Sequence, residues 1–105
     1  MKKSAFLLAL SSFLCAAPAM AQTSELALAT SRNCMSCHAV DRKVLGPAFK
    51  DVAARYKDDK GAPDALAAKI MKGGSGVWGP VPMPANNQVS DAEAKRLAAW
   101  VLSIK

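Results

Sequence analysis

The sequence predicts an all-α fold of three to five short helices joined by long ordered loops. Three observations predict it. Ala, Lys and Leu dominate while Val, Ile, Thr and Tyr are sparse, and no stretch alternates apolar and polar residues as a half-buried strand does. Several segments carry apolar residues at helical spacing, two of them behind a serine of the kind that starts helices. The chain has 105 residues, a single-domain length, with no internal repeat.

The elements follow in order. Residues 1–21 read as a secretory signal peptide. Lys2 and Lys3 form its charged start, Ala5 to Leu14 its apolar stretch, and Ala19-Met20-Ala21 the small residues before the cut. The apolar run is broken by Ser11 and Ser12 and is too short to span a bilayer as a mature helix; an uncleaved anchor is the alternative. A lipoprotein reading of Cys15 needs a small residue before it, and Leu14 stands there. Removing 21 residues leaves 84, Gln22 to Lys105, as one domain, and the net charge falls from +6 to +4 because Lys2 and Lys3 leave.

In the domain, a first helix starts near Ser24, with Glu25 in its first turn and Leu26, Leu28 and Ala29 along it, and runs towards Cys34. A second spans Phe49 to Lys57, with Phe49, Val52, Ala53 and Tyr56 on one face. A third runs from about Asp64 to Lys72 and stops at Gly73-Gly74. Residues 73–88 hold four glycines and three prolines and predict no regular structure. A last helix follows Ser90, which forms a capping box with Glu93; Leu97, Trp100, Val101 and Ile104 make its apolar stripe.

Eighty-four residues are few for a self-sufficient core, and at this size metals, cofactors or disulfides often help. Only Cys34 and Cys37 survive removal of the leader. Two cysteines with two residues between them do not make a disulfide framework. The same arithmetic argues against a large enzyme with a deep cleft. Something else fills the core.

Cys34-Met35-Ser36-Cys37-His38 names it. C-x-x-C-H is the attachment motif of a c-type haem. Residues three apart on a helical turn share a face, so two thiols can each add to one vinyl group of the porphyrin. His38, the next residue and the only histidine, then offers an imidazole nitrogen to the iron. A thioredoxin-like thiol pair needs a βαβ context, and a structural zinc site needs a fourth ligand; the sequence offers neither.

With His38 in the fifth position of the iron, the sixth decides between carrying electrons and binding small ligands. Methionine, lysine, tyrosine and an open site are the candidates. Met35 sits between the cysteines, and Met71 lies beside Ile70 on a helix, in a core position. Met83 sits in Pro82-Met83-Pro84, where the prolines pre-set the backbone and reduce the entropy lost on ligation. Met83 is the expected ligand; an apolar loop residue is the alternative. A thioether is a soft donor that favours reduced iron and raises the potential.

These residues resemble the small class I c-type cytochromes of bacteria, especially the periplasmic type that donates electrons in denitrifying respiration. The resemblance covers the whole mature chain. It rests on the C-x-x-C-H motif, Leu45-Gly46-Pro47, Val77-Trp78-Gly79-Pro80-Val81-Pro82-Met83-Pro84 and the closing Ala99-Trp100-Val101-Leu102-Ser103. It implies the class I cytochrome c fold, short helices wrapped around one covalently attached haem c. It also implies roles by position. The Pro47 carbonyl accepts from His38 Nδ1–H, Trp78 points its indole N–H at a haem propionate, and Asn86 donates a side-chain hydrogen bond near the Met83 sulfur. Core packing for Trp78 and a turn for Asn86 are the alternatives. Lys69 stands where several relatives have an arginine near a propionate. Residues 86–89 are one residue longer before the last helix than in close relatives.

The function read from these features is a soluble periplasmic one-electron carrier. It would shuttle between respiratory proteins such as a quinol-oxidising cytochrome complex and a terminal nitrite reductase or oxidase. Catalysis by the protein itself is not expected, since both axial positions are filled. A small haem sensor or weak peroxidase with a labile sixth ligand is the alternative, separable by whether carbon monoxide binds. Gly73-Gly74-Ser75-Gly76 lacks the phosphate-loop pattern, and export rather than charge excludes nucleic acid. Lys43, Lys50, Lys57, Lys60, Lys69 and Lys72 are scattered; as a set they can steer a monomer towards acidic redox partners in brief, weak encounters.

Overall fold

The computed structural model describes residues 24–105 together with Ser12. The leader's boundary at Ala21 and Cys15 lie outside the described residues. Helix α1 is Glu25–Ser31, α2 Phe49–Tyr56, α3 Ala62–Lys72 and α4 Asp91–Ser103, with a 3₁₀ turn at Cys34–Ser36. No described helix is long and apolar enough to cross a membrane.

The expected caps form. Ser24 Oγ accepts from the Ala27 amide at 3.1 Å. At α4, Ser90 Oγ accepts from the Glu93 amide and Glu93 Oε1 accepts from the Ser90 amide, both at 3.1 Å, closing the capping box. Helix α1 stops short of the cysteines. After Arg32 the chain passes through Asn33 at φ 68°, a left-handed conformation that asparagine tolerates, and re-enters as the 3₁₀ turn. Helix α2 has no side-chain cap. Its first amides are satisfied by the segment after His38 instead: Phe49 N–H donates to Ala39 O at 2.9 Å and Lys50 N–H to Val40 O at 3.0 Å.

The one architectural departure from the sequence reading lies between α3 and α4. Strand β1 (Gly74–Gly76) pairs antiparallel with β2 (Gly79–Met83), Gly74 opposite Met83 and Gly76 opposite Gly79, with an irregular register between. The residues that argued against regular structure are the ones that permit this hairpin. Gly76 and Gly79 take φ of 100° and 114° at its turn. Pro80 and Pro82 fall between the paired positions of β2, where no ladder donor is needed.

Helix α4 is the spine. Its Ala94, Leu97 and Ala98 pack with Leu28 and Ala29 of α1, Ala67 of α3 and Val89. Its Val101 packs with Phe49 and Val52 of α2. Leu97 and Val101 of the predicted stripe are buried, Trp100 and Ile104 are half-buried, and Leu26 is exposed against expectation. Among the described residues most buried apolar side chains are alanines, and no large side chain is completely enclosed. Alanines fill much of the space between α1, α3 and α4, with Leu28 and Leu97 among them, while α2 meets α4 through Phe49, Val52 and Val101.

Two ion pairs tie the two ends of α1 to α4. Arg32 reaches Glu93 at 2.7 Å, and Arg96 reaches Glu25 at 2.7 Å. The hydrogen bonds from the Arg32 guanidinium and the Ser90 amide hold the Glu93 carboxyl at about 2, below the ordinary 4.5. A depressed carboxylate contributes stability that is present above its unfolded value and lost as pH falls through the folded one. The urea midpoint should therefore fall between about pH 4.5 and pH 2, in part through Glu93. Glu93→Gln should lower stability at pH 7 and flatten that acid limb. A variant that tracks the native protein across the window would show that the pair contributes nothing.

Candidate functional site

The turn Cys34–Ser36 sets the site. Cys37 N–H and His38 N–H both donate to the Cys34 carbonyl, at 3.2 and 3.1 Å, so the two cysteines and the histidine share one turn. In a 3₁₀ turn residues three apart eclipse each other, which puts the two thiols on one side. Burial raises the Cys34 thiol above its ordinary pKa. A reactive redox thiol needs the opposite shift, so Cys34 is poorly suited to disulfide exchange.

His38 is oriented from several directions. Its Nδ1 lies 2.8 Å from the Pro47 carbonyl oxygen, which can only accept, so Nδ1 carries the proton and Nε2 keeps its lone pair for a metal. Gly46 lies against the same ring. A Cβ there would sit 2.5 Å from His38 Cε1 and 2.9 Å from Nδ1, so no larger residue fits. This is why glycine precedes Pro47: the backbone must pass close to the imidazole to deliver the carbonyl.

Beside His38 opens an apolar cleft. Cys34, Cys37, Pro47, Lys69, Trp78 and Met83 of the predicted site all line it, with Leu45, Phe49, Val52, Ile70, Val77, Val81 and Leu97. Leu45, Val77, Trp78 and Val81 are 40–59% exposed, and all four face this cleft. The walls therefore fit a large flat apolar group that carries a metal and reacts with two thiols, which describes a haem.

Met83 ends β2, half-buried. The α3 C-terminus holds that strand's return. Gly73 takes φ 72°, and a Cβ there would collide with Met83 O, Ala85 N and Pro84 C. Asn86 completes the anchor: its backbone N–H and its Nδ2 both donate to the Ile70 carbonyl, at 3.2 and 2.8 Å, and its Oδ1 accepts from Gln88. Its amide is drawn to a carbonyl freed by the last turn of α3, and Asn86 itself does not line the cleft. Met71 packs against the core cluster shared by α1, α3 and α4 and does not line the cleft.

Lys69 lines the cleft and folds over the β1 backbone; a Cβ on Gly74 would lie 2.5 Å from its Nζ. The Arg55 guanidinium lies 5.0 Å from the Trp78 ring centroid and 5.9 Å from that of Tyr56. Sequence reasoning missed Arg55. It reads as a solvated helix residue, and only the folded hairpin brings Trp78 to it.

Comparison with known proteins agrees with this geometry. The Cytochrome c family model matches residues 24–105. Cytochrome c-552 of Hydrogenobacter thermophilus is 60% identical over 78 residues, covering 74% of this chain and 79% of its own. Cytochrome c-551 of Stutzerimonas stutzeri is 52% identical over 99 residues, covering 94% and 93%. The crystal structure of wild-type Nitrosomonas europaea cytochrome c552 superposes with a TM-score of 0.73 at 56% identity, covering 74% of this chain and 96% of that one. A matched family model across every described helix, over a thiol-flanked histidine in an apolar cleft, leaves one assignment: the chain belongs to the cytochrome c family, as a small class I electron-carrying cytochrome with one covalently bound haem c.

Proposed function

We propose that the chain is a monomeric, soluble carrier of single electrons in the periplasm, with its haem attached through Cys34 and Cys37 and ligated by His38 and Met83. The observation that carries this reading is the shared turn of Cys34, Cys37 and His38, with His38 Nδ1 already committed to Pro47. The haem supplies a ferric–ferrous couple. The rest is done by the chain.

Pro47 fixes the tautomer of His38 and raises its basicity as a ligand. Met83 offers a soft neutral sulfur from a strand end braced by Gly73 and Asn86, a donor that favours the reduced state. Lys69 and Trp78 in the cleft wall offer a cation and an N–H donor suited to the haem propionates, and Arg55 lies over the Trp78 indole. Leu45, Val77 and Val81 leave an apolar rim at its mouth, which favours brief contact with another redox protein. Lys43, Lys50, Lys57, Lys60 and Lys72, which pair with no carboxylate among the described residues, favour acidic partners. A quinol-oxidising cytochrome complex as donor and a nitrite reductase or oxidase as acceptor fit that description.

The test follows the protein as exported. Its mass should equal Gln22–Lys105 plus one haem, and the reduced protein should be oxidised by the periplasmic fraction of the source organism. That bimolecular rate should fall as salt rises, because the Debye length shrinks from ~10 Å at 0.1 M to ~3 Å at 1 M. A mass that retains residues 1–21, or ferrous protein stable in that fraction, would overturn the reading.

A further inference from the structure

The geometry points to Phe49 as a positioning residue for the iron ligand: its ring, locked by Trp100 of α4, sets the plane of the His38 imidazole. The inference rests on the reading of His38 as ligand and goes beyond it. Read from the sequence, Phe49 is one of four apolar residues on the α2 face, and burial alone accounts for it. The structure puts it in a more particular place. The Phe49 and His38 rings stack with centroids 4.8 Å apart and planes 23° from parallel. The Trp100 ring meets Phe49 edge-on, 5.4 Å away at 74°. Both geometries are favoured ones for aromatic pairs.

The backbone adds a second constraint. Phe49 is the first residue of α2, and its own N–H donates to Ala39, the residue after His38. Lys50 repeats the link to Val40. The two rings are thereby fixed at their roots as well as at their faces. Phe49 is only 6% exposed, which leaves its ring little room to move.

A hydrogen bond alone does not set a ring plane. Carbonyl oxygens accept over a broad range of directions, so the Pro47 bond permits the imidazole to swing about the axis through Nε2. Gly46 and Phe49 restrict that swing by contact. The swing matters because an electron carrier must change charge with little change in geometry. A ligand plane held equally in both states avoids rearrangement at each transfer. The chain of contacts Trp100–Phe49–His38 thus runs from the helical spine to the ligand.

The test uses the ferric holoprotein of Phe49→Leu, Phe49→Tyr and Leu28→Ala. Leu28 is buried in the other core cluster and does not line the cleft, so it controls for lost packing. The readouts are the hyperfine-shifted proton resonances of His38 and the solvent exchange of its Nδ1 proton. Phe49→Leu should displace the His38 shifts and speed the exchange, Phe49→Tyr should restore both, and Leu28→Ala should lose stability with the His38 signals in place. A Phe49→Leu protein with native His38 shifts and native exchange would overturn the inference and leave Phe49 as core. If Phe49→Leu loses its haem, Trp100 carries the same test: Trp100→Leu must displace the His38 shifts and Trp100→Phe must not. Failure of the ligand assignment shows separately, because the native ferric protein would then lack iron-shifted His38 resonances.

Discussion

Met83→Ala should open the sixth position of the iron and convert a closed electron carrier into a ligand-binding haem protein. Met83 is the methionine that lines the cleft, and its strand is braced on three sides by Gly73, Gly74 and Asn86. Alanine removes the soft donor that stabilises the ferrous state, so the potential should fall by a sizeable fraction of the ~0.8 V range that axial ligands span. Carbon monoxide should bind the reduced variant and not the native protein. The helices should persist, since Cys34, Cys37 and His38 still hold the haem. Met71→Leu is the control. Met71 packs against the core cluster shared by α1, α3 and α4 and does not line the cleft, and the swap conserves volume, so it should cost under about 1.5 kcal/mol and leave ligation unchanged. An optical spectrum with carbon monoxide and a potentiometric titration decide between them. If Met71→Leu opened the iron and Met83→Ala did not, the ligand assignment would be wrong.

The second large effect is on folding. Replacing Cys34 and Cys37 together by alanine should leave a chain without haem and, at 25 °C, without most of its helical circular dichroism. The reason is the composition of the core. Most of the buried apolar residues are alanines, and the larger apolar side chains Leu45, Trp78, Val77 and Val81 stand half in solvent around the cleft. A core of this size rarely supplies more than about 3–5 kcal/mol by itself. A group bound only by the native state adds its binding free energy to that small sum. Intact mass reports the haem and circular dichroism reports the helices. A haem-free variant with native ellipticity would show that the alanine core suffices.

Much of this was legible because it is local. Ser24 and the Ser90–Glu93 box announce helix starts within four residues, and the attachment turn is five residues long. The hairpin was not legible, because strands are recognised by side chains that alternate faces. Here β1 is three residues of glycine and serine that pair through the backbone alone. The Asn86 anchor was not legible for a related reason. Its partner, the Ile70 carbonyl, is orphaned by the end of α3, sixteen residues away in sequence. The stacking of Phe49 on His38 needed the fold as well, since helical periodicity marks a residue as buried without saying against what.

The prolines of β2 have one more consequence. A two-stranded hairpin has two open edges, and an open edge invites a strand from another molecule, the first step towards aggregates. A visitor approaching β2 would find Pro80 and Pro82 alternating along it, able to offer carbonyls but no N–H. It would find half a ladder and nothing to continue. A carrier that must collide constantly with other proteins and part from each of them is protected, along this edge, from staying attached to the wrong one.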